Sequence, residues 1–363
     1  MNSRDRIMTA LAGRQPDRVP IFLRDLTLGM EVAGFTTWEV CAGGPNGGYH
    51  AEKSAHAVIM SWRRFGQDCV VGSIHDLGLD ADALGGKTAF PSQGIPTVVR
   101  HPLEQKNRLL RAKVPQMDKD GRLPGVLKAY ELVKRRIGAK VAIAANLEGP
   151  VTRACLLRGT HNLARDFVKD PKFATDLIAF STEIAISHLR HLSKVGVDFV
   201  FLASATDGPV FIRPEFYLTY TIPNLRRIVT ASSELGLGVV FHPHGNFTLE
   251  RYRPLVDAAL ETGIVGFQFA ENCDLRVAKR LWGDRSAILG GIDIPHVLHP
   301  GPQERIREET RRCISHAAPG GGYVFMATCS IHRGDPLGHI EAMVQAAREF
   351  GDYESISAWS ASV

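Results

Sequence analysis

Short apolar runs alternate with longer segments of helical period along this chain. The runs are Val19–Phe22, Cys69–Gly72, Val141–Ala145, Phe199–Leu202, Gly238–Phe241, Val265–Gln268, Ala287–Gly291 and Tyr323–Met326. Strands buried on both faces of a parallel sheet read this way, because neither face is left for polar residues. Pro171–Val195 sets Phe173, Leu177, Ile178, Ile184, Leu189 and Leu192 on or near one helical face. Pro214–Leu235 opens with a first-turn proline and stops before Gly236. Leu249–Thr262, Leu275–Trp282, Pro302–His316 and Pro336–Phe350 follow the later strands, and residues 1–14 read as a leading helix. Eight strands with helices between them predict an α/β fold, a single (β/α)8 TIM barrel over residues 1–350. Residues 77–140 read as an insertion between strands 2 and 3 that covers one end of the barrel, with a small hairpin and a helix around Pro124–Ile137. The Ser/Ala-rich residues 351–363 are expected to fray. A doubly wound open sheet is the main competitor, but no Gly-x-Gly-x-x-Gly follows an early strand.

Composition narrows the partners. The 363 residues are 44% hydrophobic and 22% charged, enough apolar material for a sizeable core. The net charge of +5 is spread along the chain, and the densest basic clusters, Lys134-Arg135-Arg136 and Arg311-Arg312, sit in helix-like segments. No tract would follow a phosphate backbone, so nucleic acid is not an expected partner. No apolar segment has the length of a signal h-region or a membrane span, so a cytoplasmic protein without a membrane partner is expected. The six cysteines stand at 41, 69, 155, 273, 313 and 329 without framework spacing. They read as reduced thiols, any of which is free to ligate a metal.

In a barrel of this kind the active site is built just past the C-terminal strand ends. Those positions hold Arg24 and Asp25, His75 and Asp76, Asn146 and Glu148, Thr206 and Asp207, His242 and His244, Gln268 and Glu271, Asp293, and Cys329. The sharpest element is His242-Pro243-His244-Gly245-Asn246. Side chains two apart on a strand point the same way, so both imidazoles can face one metal. Cys329, from the end of the last strand, makes a mixed nitrogen and sulfur set that favours zinc over magnesium or calcium. Each residue also has a plainer reading alone. His-x-His is often a hydrogen-bonded loop pair, Cys329 a buried thiol, Asp293 and Glu148 helix caps, His75-Asp76 a surface pair and His332 a solvated loop histidine.

Several segments together resemble the uroporphyrinogen decarboxylase superfamily. They are Arg14-Gln15-Pro16-Asp17-Arg18-Val19-Pro20, Gly78-Leu79-Asp80-Ala81-Asp82-Ala83-Leu84-Gly85-Gly86, Leu147-Glu148-Gly149-Pro150-Val151-Thr152, His242–Asn246, Gly290-Gly291-Ile292-Asp293, and Gly321-Gly322-Tyr323 leading to Cys329. The resemblance covers roughly residues 3–350 and is greatest to the corrinoid-linked methyltransferase branch, which includes the methylcobalamin:coenzyme M and O-demethylase methyltransferases. The decarboxylase branch is marked by Arg-Gln-Ala-Gly-Arg after the first strand. Here Arg24-Asp25-Leu26-Thr27-Leu28-Gly29 stands there, so the grip on a polycarboxylate is incomplete.

The resemblance implies His242 and Cys329 as zinc ligands. Position 244 is His where the branch carries Cys, which removes one thiolate charge and points away from the usual thiol acceptor. Glu148 is implied as the carboxylate that completes coordination when substrate is absent. The implied cofactors are zinc and a cobalamin-type corrinoid on a separate protein, since no Asp-x-His-x-x-Gly stands in this chain. The expected reaction moves a methyl group between a small methylated substrate, such as a methyl ether, and the corrinoid protein. Glu148, Asp293 and Asp207 are the expected catalytic carboxylates, and Arg24, His75, Gln268 and Tyr217 the expected substrate contacts. Two rivals remain: a metal-free decarboxylase using Arg24 and Asp76 on an acidic substrate, and a non-catalytic binding protein on the same barrel. Homodimer formation is left open.

Overall fold

Among the described residues, nine strands occur in chain order: β1 (Cys69–Val71), β2 (Lys87–Ala89), β3 (Thr97–Arg100), β4 (Ala142–Glu148), β5 (Phe199–Ser204), β6 (Val239–Pro243), β7 (Gly266–Gln268), β8 (Ala287–Ile292) and β9 (Tyr323–Ala327). The computed structural model describes residues 1–92, 94–354 and 356. Seven strands form one parallel, curled sheet in the order β1-β4-β5-β6-β7-β8-β9, and β2 pairs antiparallel with β3. Helices fill the intervals between the parallel strands, so the fold is α/β. The seven strands are buried almost throughout, which is why they read as apolar runs rather than alternating ones. Phe22 packs edge-on against Phe199 and Phe201, with centroids 6.1 and 5.7 Å apart.

The first expected strand, Val19–Phe22, does not form a ladder. Ile21 bridges Phe325 of β9 and Phe22 bridges Cys69 of β1, both parallel, so the segment links the two edges of the curled sheet. Pro20 has no N–H to donate, and the Ile21 N–H goes to the Asp68 carboxylate at 3.0 Å. Pairing is thereby limited to single bridges. The helix expected over Pro214–Leu235 is also divided. A π turn at Tyr217–Thr221 precedes the α-helix Ile222–Glu234, where Pro223 cannot supply the N–H of an unbroken helix. In contrast, Pro171–Val195 is one helix from end to end. Asp170 caps it by accepting from the Phe173 N–H, and Gly196 ends it at φ +83°.

Between β1 and β4 lie the short helix Leu79–Ala83, the β2–β3 hairpin, a 3-10 turn at Lys106–Arg111 and the helix Leu123–Ile137. Of the tail expected to fray from residue 351, Tyr353 and Ile356 are buried and Asp352 bridges Arg18. Residues 355 and 357–363 lie outside the described residues. Among the described residues, no helix is long and apolar enough to cross a membrane.

Two carboxylates lock the N-terminal side of the sheet. Asp68, just before β1, is wholly buried and accepts from Ser3 Oγ (2.8 Å), Arg6 (2.6 Å), Arg18 (2.9 Å) and the Ile21 N–H. Asp198, just before β5, accepts from Arg4 at 2.6 Å and the Ile143 N–H at 2.8 Å.

Candidate metal centre at the strand ends

His242 lies within β6 and His244 one residue beyond its end, while Cys329 stands two residues past β9. The strand period aims both imidazoles the same way. Their Nε2 atoms lie 3.7 Å (His242) and 3.6 Å (His244) from Cys329 Sγ. One ligand atom from each of the three residues falls within 4.8 Å of the others. Close loop packing supports His244: a Cβ on Gly208 would lie 2.0 Å from the His244 carbonyl oxygen, so only glycine lets the loop after β5 pass there.

The electrostatics suit a cation. Burial raises the Cys329 thiol, but the His244 hydrogen bond and the Arg24 charge outweigh it and bring the thiol down to about 7. Burial, with Arg24 and His244 nearby, holds His242 well below its ordinary value and therefore neutral. His244 Nδ1 lies 3.3 Å from Glu271 Oε1. A carboxylate there fixes the tautomer that leaves the Nε2 lone pair facing the trio. His242 Nδ1 is buried without a hydrogen-bond partner among the described residues. Two imidazole nitrogens beside a low-pKa thiol are a donor set that fits zinc.

The trio opens into a cavity of about 280 Å3, also lined by Arg24, His75, Glu148, Thr206 and His332, with Leu26, Leu77 and Ile95 as apolar wall. Arg24 has a strained left-handed backbone (φ +45°), donates to Asn146 Oδ1 at 3.1 Å and lies 4.5 Å over the Phe201 ring. His75 Nε2 stands 3.1 Å from Glu148 Oε1, and Arg153 holds Glu148 Oε2 at 3.0 Å. Glu148 therefore faces the cavity with both oxygens engaged and stands outside the His–His–Cys cluster.

The other expected site residues are elsewhere. Asp207 accepts from the Val151 and Thr152 N–H groups and the Thr152 and Thr221 hydroxyls, tying the loop after β5 to the helix Pro150–Arg158. Asp293 accepts from the His296 N–H at 2.9 Å and starts a helical turn. Gln268 donates to the Ala327 and Thr328 carbonyls, which braces the chain leading to Cys329. Tyr217 donates to the Leu255 carbonyl and is wholly buried. None of these four lines the cavity. Asp76 is committed to the buried Arg122. His332 is half-buried, not solvated: it bonds Ser330 Oγ at 2.7 Å and Thr27 Oγ1 at 3.1 Å. Burial, with Arg24 and His75 nearby, holds it down to about 4. Glu271 carried no expected role, although its place just after β7 was a usable signal.

The uroporphyrinogen decarboxylase (URO-D) family model matches residues 2–350. The chain belongs to the uroporphyrinogen decarboxylase family. Among its relatives, the methylcobamide:CoM methyltransferase MtaA of Methanosarcina barkeri is 26% identical over 348 residues, covering 95% of this chain and 97% of that protein. The uroporphyrinogen decarboxylase of Alkalilimnicola ehrlichii is 25% identical over 365 residues, covering 95% of this chain and 93% of that protein. A solved methyltransferase from Methanosarcina mazei superposes with a TM-score of 0.82 at 23% identity, over 96% of this chain and 99% of the other. That likeness establishes the shared fold. Within the family, the likeness to named methyltransferases makes this chain an enzyme of the methyltransferase type.

Proposed function

We propose that this protein is a zinc-dependent, corrinoid-linked methyltransferase. It moves a methyl group between a small methylated substrate, a methyl ether or similar, and a corrinoid carried on a separate protein. One observation carries the reading: two imidazole Nε2 atoms and one thiol converge within 4.8 Å at the edge of a cavity. His242, His244 and Cys329 would hold the metal, and zinc bound there supplies Lewis acidity to a substrate heteroatom.

The chain's own residues do the rest. Glu271 orients His244 through Nδ1. Arg24 and His244 favour the Cys329 thiolate. The Glu148–His75 pair presents a polar wall, braced by Arg153, that orients the substrate. Leu26, Leu77 and Ile95 give the cavity an apolar wall. Asp207 and Asp293 contribute by fixing the loops they cap rather than by touching substrate. The pairing of Asp76 with Arg122 weighs against a metal-free decarboxylase that needs Asp76 free.

Metal analysis and methyl transfer with free cobalamin test the reading together. Stoichiometric zinc is expected in the wild type, lost in His242→Ala and Cys329→Ala, together with methyl transfer in either direction. A metal-free preparation with full transferase activity would sink it.

A further inference from the structure

Behind the wall of the metal cavity runs a line of buried ionic groups that the reaction above uses only in part. Glu148 and His75 line the metal cavity on one side and a smaller cavity of about 40 Å3 on the other. A side chain with space on both faces is not fixed by close packing, so its ionic partners set where it stands. Arg153, only 1% exposed, holds Glu148 Oε2 at 3.0 Å through Nη2, and its Nη1 meets Asp80 Oδ2. Asp80 belongs to the short helix Leu79–Ala83 and lines the smaller cavity, not the metal cavity. His188, on the helix Pro171–Val195, stands behind it with Nε2 3.3 Å from Asp80 Oδ1. Burial, with Arg153 and His191 nearby, holds His188 well below its ordinary value and therefore neutral.

One guanidinium thus serves two carboxylates, and each side of its fork is held by a different element. A planar fork held on both sides has its orientation fixed. Released from Asp80, it is free to turn both nitrogens onto Glu148 and to draw that carboxylate off His75, whose Nε2 lies 3.1 Å from Oε1. Asparagine at position 80 would keep the shape and remove the charge, and Arg153 would still have Glu148.

We propose that Asp80 is a positioning residue, which acts through Arg153 to fix Glu148 on the wall of the metal cavity. His188 steadies Asp80 from behind, and the segment between β1 and β4 is thereby tied to the site without touching substrate. The proposal rests on the methyltransferase reading for what the placed Glu148 does.

Methyl transfer between methoxybenzene and free cobalamin, and denaturant unfolding, both on the zinc-loaded protein, test it. Asp80→Asn is expected to lower kcat about tenfold, as a small displacement of an orienting group does, with zinc content and KM unmoved. In a Glu148→Gln background the same substitution is expected to leave kcat unmoved, because the two act through one path. In unfolding, the double variant is expected to lose more stability than the two single variants together, because it alone leaves Arg153 without a carboxylate. An unmoved kcat in Asp80→Asn, an equal loss in both backgrounds, or additive unfolding losses overturn the proposal. His188→Gln, which loosens Asp80 without removing a charge, is expected to follow Asp80→Asn more weakly, and it carries the test where Asp80→Asn does not fold. A zinc-loaded wild type that moves no methyl group to or from free cobalamin overturns the methyltransferase reading and the positioning role together. An active wild type whose kcat ignores Asp80 overturns the positioning role alone.

Discussion

Asp68 and Asp198 at one end of the sheet and the His242–His244–Cys329 trio at the other are buried polar groups with different partners. On the N-terminal side, Asp68 receives four donors and Asp198 an arginine and a backbone N–H. On the C-terminal side, His242 Nδ1 and Gln268 Oε1 are buried with no hydrogen-bond partner among the described residues, and Cys329 meets its histidines at 3.6–3.7 Å. Buried polar groups that serve only the fold are satisfied, because an unsatisfied one costs about 1–3 kcal/mol. The contrast sets Asp68 and Asp198, which hold the fold together, against His242, His244 and Cys329, which line the cavity.

The sharpest way to break the contrast is to remove a member of the trio. His242→Ala and Cys329→Ala are expected to lose bound zinc and at least about 100-fold in methyl transfer, while thermal unfolding changes little. Elemental analysis beside a melting curve checks both halves. Asp68→Ala should do the reverse. It removes the buried acceptor shared by Ser3, Arg6, Arg18 and the Ile21 N–H, although Arg6 keeps Asp17, and is expected to cost about 3–5 kcal/mol in denaturant unfolding, with zinc content per folded molecule unchanged. A smaller effect belongs to Glu271→Gln, which should weaken zinc binding about tenfold, as loss of an orienting partner does, and is read by competition with a chelator. The mildest test concerns reactivity. In metal-stripped protein, alkylation of Cys329 should rise as pH passes about 7, because its thiolate forms above that value. Cys273 and Cys313, pushed up to about 12 by burial, should stay unlabelled across the same range. Mass spectrometry of the labelled peptides distinguishes them, and equal labelling of all three would remove the electrostatic distinction drawn here.

Legibility in the sequence followed the same division. Strands buried on both faces announce themselves as apolar runs, so the seven parallel strands lie where the pattern puts them. The segment at Val19–Phe22 has the same pattern but forms only bridges, since Pro20 and Asp68 divert its hydrogen bonds. A period-two rule aims His242 and His244 together without any tertiary knowledge. It cannot tell whether a polar residue at a strand end turns inward or caps a neighbour. Asp207, Gln268 and Tyr217 read as site residues because they stand near strand ends or on a neighbouring helix, yet each is spent on a backbone partner from another element. Glu148 reads as a ligand, yet Arg153 and His75 occupy its oxygens.

The sequence by itself determined the parallel α/β plan, the His-x-His pair and the cysteine able to join it, because backbone periodicity and residue chemistry are local properties. Only the tertiary structure decided which polar groups face the cavity and that Glu271 backs His244. Those outcomes depend on which loops meet across the sheet, and that is set by packing between residues far apart in the chain.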